Sequence, residues 1–206
     1  MLARRRVVGP HPRAEAHGPP LPAERALRRA GAALAQRRLV LLNLAEAAAQ
    51  ADAYAEAGDE RKIADLRRDW EDEVEGSARS EDYRLRAVAY RAIGQFRFRQ
   101  KIELLQRGLD DESPACRGSA LISLELLSRD SPGAVNTARS MLHRLATADD
   151  NQAVRRLAIV CLKNGSAHRD TIALLEGLAD DDRQEKDLRE TASKVAATLK
   201  KKGVKG

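Results

Sequence analysis

The sequence predicts an all-α chain: a right-handed α-α superhelix of about four helix pairs, preceded by a long Ala-rich helix. Three observations lead there. Ala and Leu, strong helix formers, are abundant, while β-branched residues are sparse and aromatics make up only 3% of the chain,. A pattern of hydrophobic-Arg-x-x-Ala recurs four times, as Leu85-Arg86-Ala87-Val88-Ala89, Cys116-Arg117-Gly118-Ser119-Ala120, Val154-Arg155-Arg156-Leu157-Ala158 and Leu188-Arg189-Glu190-Thr191-Ala192. Its arginines stand 31, 38 and 34 residues apart. Self-similarity on this scale marks a solenoid, in which a unit buries its apolar face only by stacking on its neighbours. Short acidic turns between the elements are the third sign, since antiparallel helix pairs need tight connections.

Taken in order, residues 1–22 hold five of the seven prolines and are expected to form a disordered basic arm,. Residues 23–57 contain 14 alanines, with Leu27, Leu34, Leu41 and Ala48 seven apart and Ala30, Leu44 and Ala51 on the adjoining stripe. That seam, interrupted by Arg37 and Arg38, suits either a cap on the first repeat or a dimer through residues 24–57. Gly58-Asp59 ends this helix and caps the next, roughly 60–75, whose apolar face is Ile63, Leu66, Trp70 and Val74,. The repeat domain is expected over 58–201. First helices fall near 98–109, 133–147 and 168–180; second helices fall near 81–94, 114–129, 152–164 and 185–201. Ser113-Pro114 and Ser131-Pro132 each place a capping hydroxyl before a proline at the first helical position. Residues 202–206 form a basic tail.

The net charge of +6 is not spread along the chain. Residues 1–25 carry five arginines against Glu15 and Glu24, and residues 194–206 carry five lysines and no acid. The body between them is slightly negative, which weakens any inference to a basic binding face. Cys116 and Cys161 make neither a disulfide framework nor a zinc site and read as small core hydrophobes. No run approaches the ~20 apolar residues of a membrane span. Arg4-Arg5-Arg6 has no apolar stretch after it, so a cytoplasmic protein is the expectation.

An acidic turn, then a hydrophobic-Arg pair, then Ala three residues later opens the second helix of each unit. Asp110-Asp111 precedes Cys116-Arg117, Asp149-Asp150 precedes Val154-Arg155, and Asp181-Asp182 precedes Leu188-Arg189. Over about residues 60–200 this resembles HEAT repeats, especially the short bacterial type also found in phycobilisome lyases. The resemblance implies second helices lining a concave face. Tetratricopeptide repeats share the period but need a Trp/Gly/Tyr set that is missing.

The repeated arginines Arg86, Arg117, Arg155 and Arg189 are expected to bridge turn carboxylates and carbonyls between stacked units. The repeated alanines Ala89, Ala120, Ala158 and Ala192 should let helices approach closely. His11, His17, His143 and His168 show no metal-ligand spacing, and no His-Glu pair or Gly-rich phosphate loop occurs. No catalytic residue, metal or cofactor is therefore expected. The favoured function is a non-catalytic scaffold binding a protein or acidic peptide through Arg84, Arg91, Arg156, Lys163 and Lys194. Nucleic acid is the rival partner: Arg97, Arg99 and Lys101 surround Phe96 and Phe98, so that Arg97, Phe98, Arg99 and Lys101 could contact a strand or duplex. A bilin-lyase-like enzyme, implied only by the family resemblance, is least favoured.

Overall fold

The computed structural model describes residues 22–129 and 131–204. Among them are ten α-helices, one short 3-10 turn and no strand. The helices are α1 (Pro22–Glu56), α2 (Glu60–Ala78), α3 (Tyr83–Gln95), α4 (Ile102–Leu109), α5 (Pro114–Ser128), α6 (Pro132–Thr137), α7 (Arg139–Ala148), α8 (Gln152–Leu162), α9 (Arg169–Asp180) and α10 (Lys186–Gly203), with the 3-10 turn at Arg99–Lys101. The expected Pro-rich arm lies outside the described residues apart from Pro22, which opens α1. At the other end α10 runs to Gly203, so Lys202 belongs to the helix and not to a tail.

The chain divides into two compact units, residues 1–37 and 38–206. In the first, the described residues are the opening part of α1, where Leu27 and Leu34 are 73% and 69% exposed. In the second, the remainder of α1 buries Leu44, Ala47, Ala48 and Ala51. Helices α3, α5, α8 and α10 pack successively on one another, and α2, α4, α6–α7 and α9 pair with them as a second layer. This is the all-α helix-pair repeat that the composition and period predict.

The repeat positions explain the spacing of the layers. Ala89, Ala120, Ala158 and Ala192 are all fully buried, each on the second helix of its pair. The α3–α5 approach is especially close: a Cβ on Gly94 would lie 2.7 Å from the backbone of Ser123. Ser123 fills that point by donating its hydroxyl to the Tyr90 carbonyl at 2.6 Å. The core is otherwise aliphatic, with Ile93, Leu105, Leu121, Leu124, Leu142, Ile159 and Leu175 fully buried.

Local chemistry sets the helix starts. Asp59 accepts from the Lys62 amide and Asp82 from the Arg84 amide, while Asn151 accepts from both Ala153 and Val154,. Pro114 and Pro132 occupy the first helical positions as expected, but neither Ser113 nor Ser131 makes a capping bond with its hydroxyl. The Ser113 amide instead donates to Asp111 Oδ1 at 2.9 Å, so the aspartate organises the turn. The helix expected over 133–147 is broken at Ala138 into α6 and α7. Asn136, near the break, accepts from Arg139, the Ser166 amide and the Ser166 hydroxyl. That set of bonds ties the break to the following turn.

Candidate functional site

The most ordered polar feature is a ladder built from the repeated arginines. Arg86 on α3 donates from Nε to Asp111 Oδ2 at 2.7 Å and from Nη2 to Oδ1 at 2.9 Å. Its Nη1 meanwhile donates to the Ser80 and Glu81 carbonyls, both at 3.0 Å. Arg117 on α5 repeats the arrangement one unit on. It grips Asp149 at 2.7 and 2.8 Å and donates from Nη1 to the Asp111 and Glu112 carbonyls. Each guanidinium thus closes its own turn while forking onto the carboxylate of the next, the planar pairing for which Arg is suited. Asp111 and Asp149 are almost completely buried at 6% and 3% side-chain exposure.

Burial alone would push both carboxyls up. The arginine hydrogen bonds, the Ser113 and Asn151 amides and the guanidinium charges outweigh it and hold both below the usual carboxylate value,. Arg86 and Arg117 are raised in turn, chiefly by the hydrogen bonds to their aspartates.

The third and fourth rungs differ. In the first two, the aspartate stands six residues before the next repeat arginine; Asp181 stands eight before Arg189. With that longer turn, Arg155 does not reach a carboxylate. Its Nη2 donates to Gln184 Oε1 at 2.8 Å, and Gln184 passes the link to Asp181 through Nε2 at 2.8 Å. Its Nε donates to the Ala146 carbonyl. Arg189 has no such partner among the described residues, and its Nε is buried without a hydrogen bond.

The cations expected to touch a partner sit differently. Arg84 is exposed and lies over the Tyr83 ring, 5.4 Å from its centre. Arg91 is half-buried on α3, and its side chain has no hydrogen bond or ion pair among the described residues. Arg156 approaches Glu185 and Asp187 only at 3.7 and 3.8 Å, Lys163 approaches Glu125 at 3.8 Å, and Lys194 approaches Glu190 at 3.8 Å. These pairs are loose and wet, and such pairs contribute little to stability. All five lie on α3, α8 and α10 or, for Lys163, at the end of α8.

The basic-aromatic cluster is partly dismantled by the structure. Phe96 and Phe98 are buried and meet edge to face, ring centres 6.0 Å apart. Phe98 therefore has no open face for a base to stack on. Lys101 is taken up by Glu71 and Glu75 of α2 and is only 13% exposed. The geometry behind this is Arg97, whose φ of +57° places a non-glycine residue in the left-handed region,. This turn directs both flanking phenylalanines inward, and no periodicity in the sequence signals it. Arg97 and Arg99 themselves line an open cleft of about 560 Å³ with Arg67, Gln100 and Arg129. Sequence reasoning missed Arg67 and Arg129, which come to the cleft from α2 and from the end of α5.

Nucleophilic chemistry has little footing. Cys116 is buried, and desolvation pushes its thiol up to about 11; Cys161 is pushed up further by the same cause. Thiolates are the reactive form, so both are inert core residues at neutral pH. Among the described residues no group of three or more His, Cys, Asp or Glu is placed to hold a metal, and no helix is long and apolar enough to cross a membrane.

Stacked helix pairs with an Arg–Asp ladder between units define the class of protein: an α-solenoid repeat. A family model described as HEAT repeats matches residues 73–144, from the end of α2 into α7. Over that stretch the chain is similar to HEAT repeats, and α8–α10 continue the same pairing and arginine register. No curated protein matches the chain.

Proposed function

We propose that the protein is a non-catalytic scaffold whose α3, α5, α8 and α10 layer binds an acidic polypeptide segment. HEAT repeats generally mediate protein–protein interaction, and stacked repeats offer extended surfaces for it. The observation that carries the reading is the division among the cations. Arg86 and Arg117 are consumed by short bidentate pairs, whereas Arg84, Arg91, Arg156, Lys163 and Lys194, on α3, α8 and α10, make no close ion pair. Loosely held cations of this kind favour carboxylate-rich partners and speed their encounter. Reduced, buried Cys116 and Cys161 suit a cytoplasmic setting,.

The test is anisotropy with a fluorescent Asp/Glu-rich peptide and a variant carrying Glu at those five positions. Binding to the native chain and its loss in the variant are expected. Equal binding by both would overturn the reading.

Nucleic acid is a second reading, favoured by the arginine-lined cleft at Arg67, Arg97 and Arg99. Duplex binding that falls steeply between about 50 and 200 mM salt, and is weakened by R97E, would support it. Self-association through residues 24–57 is supported by Leu27 and Leu34, exposed seven residues apart,. Light scattering should then show a dimer that L34E dissociates; a monomeric native chain would sink that part.

A further inference from the structure

We propose that the α9–α10 end of the repeat stack is a docking site for an acidic turn of another polypeptide, an aspartate just before a helix, held by Arg189. This site uses Arg189 and none of the five cations proposed above, and does not depend on them. Repetition along the ladder points there. Arg86 and Arg117 each bind such a turn with a two-pronged grip on one aspartate. Arg189 occupies the same register on α10, with the same Ala three residues on, and its Nε is already withdrawn from solvent with nothing accepting from it. A buried guanidinium N–H without an acceptor costs free energy that a carboxylate would recover.

The surroundings leave room for such a turn. Two shallow cavities of about 320 and 250 Å³ lie along α9 and α10 and share Ala179, Asp180 and Ser193; Arg189 lines one beside the Lys186–Glu190 pair, and the Lys200–Glu176 pair lines the other. Helix α10 carries six cations against Asp187 and Glu190, so charge complementarity points to an acidic occupant. The occupant is not one more apolar repeat. Four residues after the ladder arginine, the interior units bury Tyr90, Leu121 and Ile159, whereas α10 presents exposed Ser193. A polar outer face suits reversible docking driven by charge. At the opposite end of the ladder, Ser80 stands where the next two units have Asp111 and Asp149 and accepts from the Asp82 amide in the same way. The chain's own first turn therefore lacks the matching aspartate, which argues against a second copy joining head to tail.

The probe is a blocked peptide opening with Asp-Asp-Glu-Ser-Pro, the sequence of the turn that Arg86 holds, continued by an alanine-rich helix. The full chain labelled with 15N is titrated with it, following the Arg189 Nε–Hε resonance, and affinity is read by anisotropy. The Arg189 signal should shift saturably. R189M should weaken binding about fivefold, as should Asp→Asn at the second position of the peptide, and raising salt should weaken it further. An unmoved Arg189 resonance, or equal affinity of R189M and the native chain, would overturn the proposal. Concentration-dependent self-association removed by R189M would overturn it too, by assigning the site to a second copy.

Discussion

The first two rungs of the arginine ladder and the last two start from the same five-residue pattern and end in different bonds. Arg86 and Arg117 each close onto a buried aspartate six residues before the next repeat arginine. Arg155 faces a turn two residues longer and must work through the neutral amide of Gln184. Arg189 faces no turn at all among the described residues. A repeated motif therefore fixes where an arginine stands, while the length of the following turn fixes what it holds. The energetic consequence is a gradient along the stack, from charge-assisted forks to a neutral relay to an unpaired donor.

The most severe way to disturb the comparison is to remove the close approach that all four units share. Ala120→Arg would force a long charged side chain into a fully buried position between helices. It should cost more than about 4 kcal/mol, enough to abolish cooperative unfolding. A circular-dichroism melt within a degree or two of the native chain would show that Ala120 is not a packing position.

Acid should act on the two tight rungs before the others. Asp111 and Asp149 are held below the ordinary carboxyl value of 3.8. Their contribution is complete above that ordinary value and is lost as pH falls through the depressed ones. Urea midpoints should therefore hold steady above about pH 5 and drop below about pH 4. The double variant R86M/R117M should show a flatter acid limb. An equal acid slope in the two proteins would mean the aspartates are not tuned by their arginines.

A smaller effect is expected where the backbone is strained. Arg97 holds φ +57° and its side chain has no hydrogen bond among the described residues. Arg97→Gly should relieve that strain at some cost in unfolded-chain entropy, for a net gain of about 0.5 kcal/mol. A lower melting temperature would show that the arginine side chain contributes packing that outweighs the strain.

Much of the fold could be read from the sequence because solenoids repeat their physics. Period, helix-forming composition, proline at helix starts and the buried alanines all act locally, so the helix pairs fall close to their expected ranges. What escaped depended on a single dihedral or a distant partner. The left-handed turn at Arg97 buries Phe98, and Glu71 and Glu75 of α2 claim Lys101, so half of the supposed nucleic-acid cluster is internal. The seam of α1 holds only in part. Leu44, Ala48 and Ala51 are buried whereas Leu27 and Leu34 are exposed, a division that a seven-residue spacing cannot reveal. Ser113 and Ser131 carry the right residue type for caps, but Asp111 already satisfies the Ser113 amide. The cleft arginines Arg67 and Arg129 each lie 30 or 32 residues from Arg97 and Arg99 along the sequence and meet them only through packing.

The most direct measurement is urea unfolding of four single variants, R86M, R117M, R155M and R189M, against the native chain. R86M and R117M each leave a buried aspartate without its fork and should lose about 3 kcal/mol. R155M gives up bonds to a carbonyl and an amide and should lose about 1 kcal/mol. R189M should stay within about 0.5 kcal/mol of the native chain. Four equal losses, or a loss at Arg189 matching that at Arg117, would contradict the graded ladder.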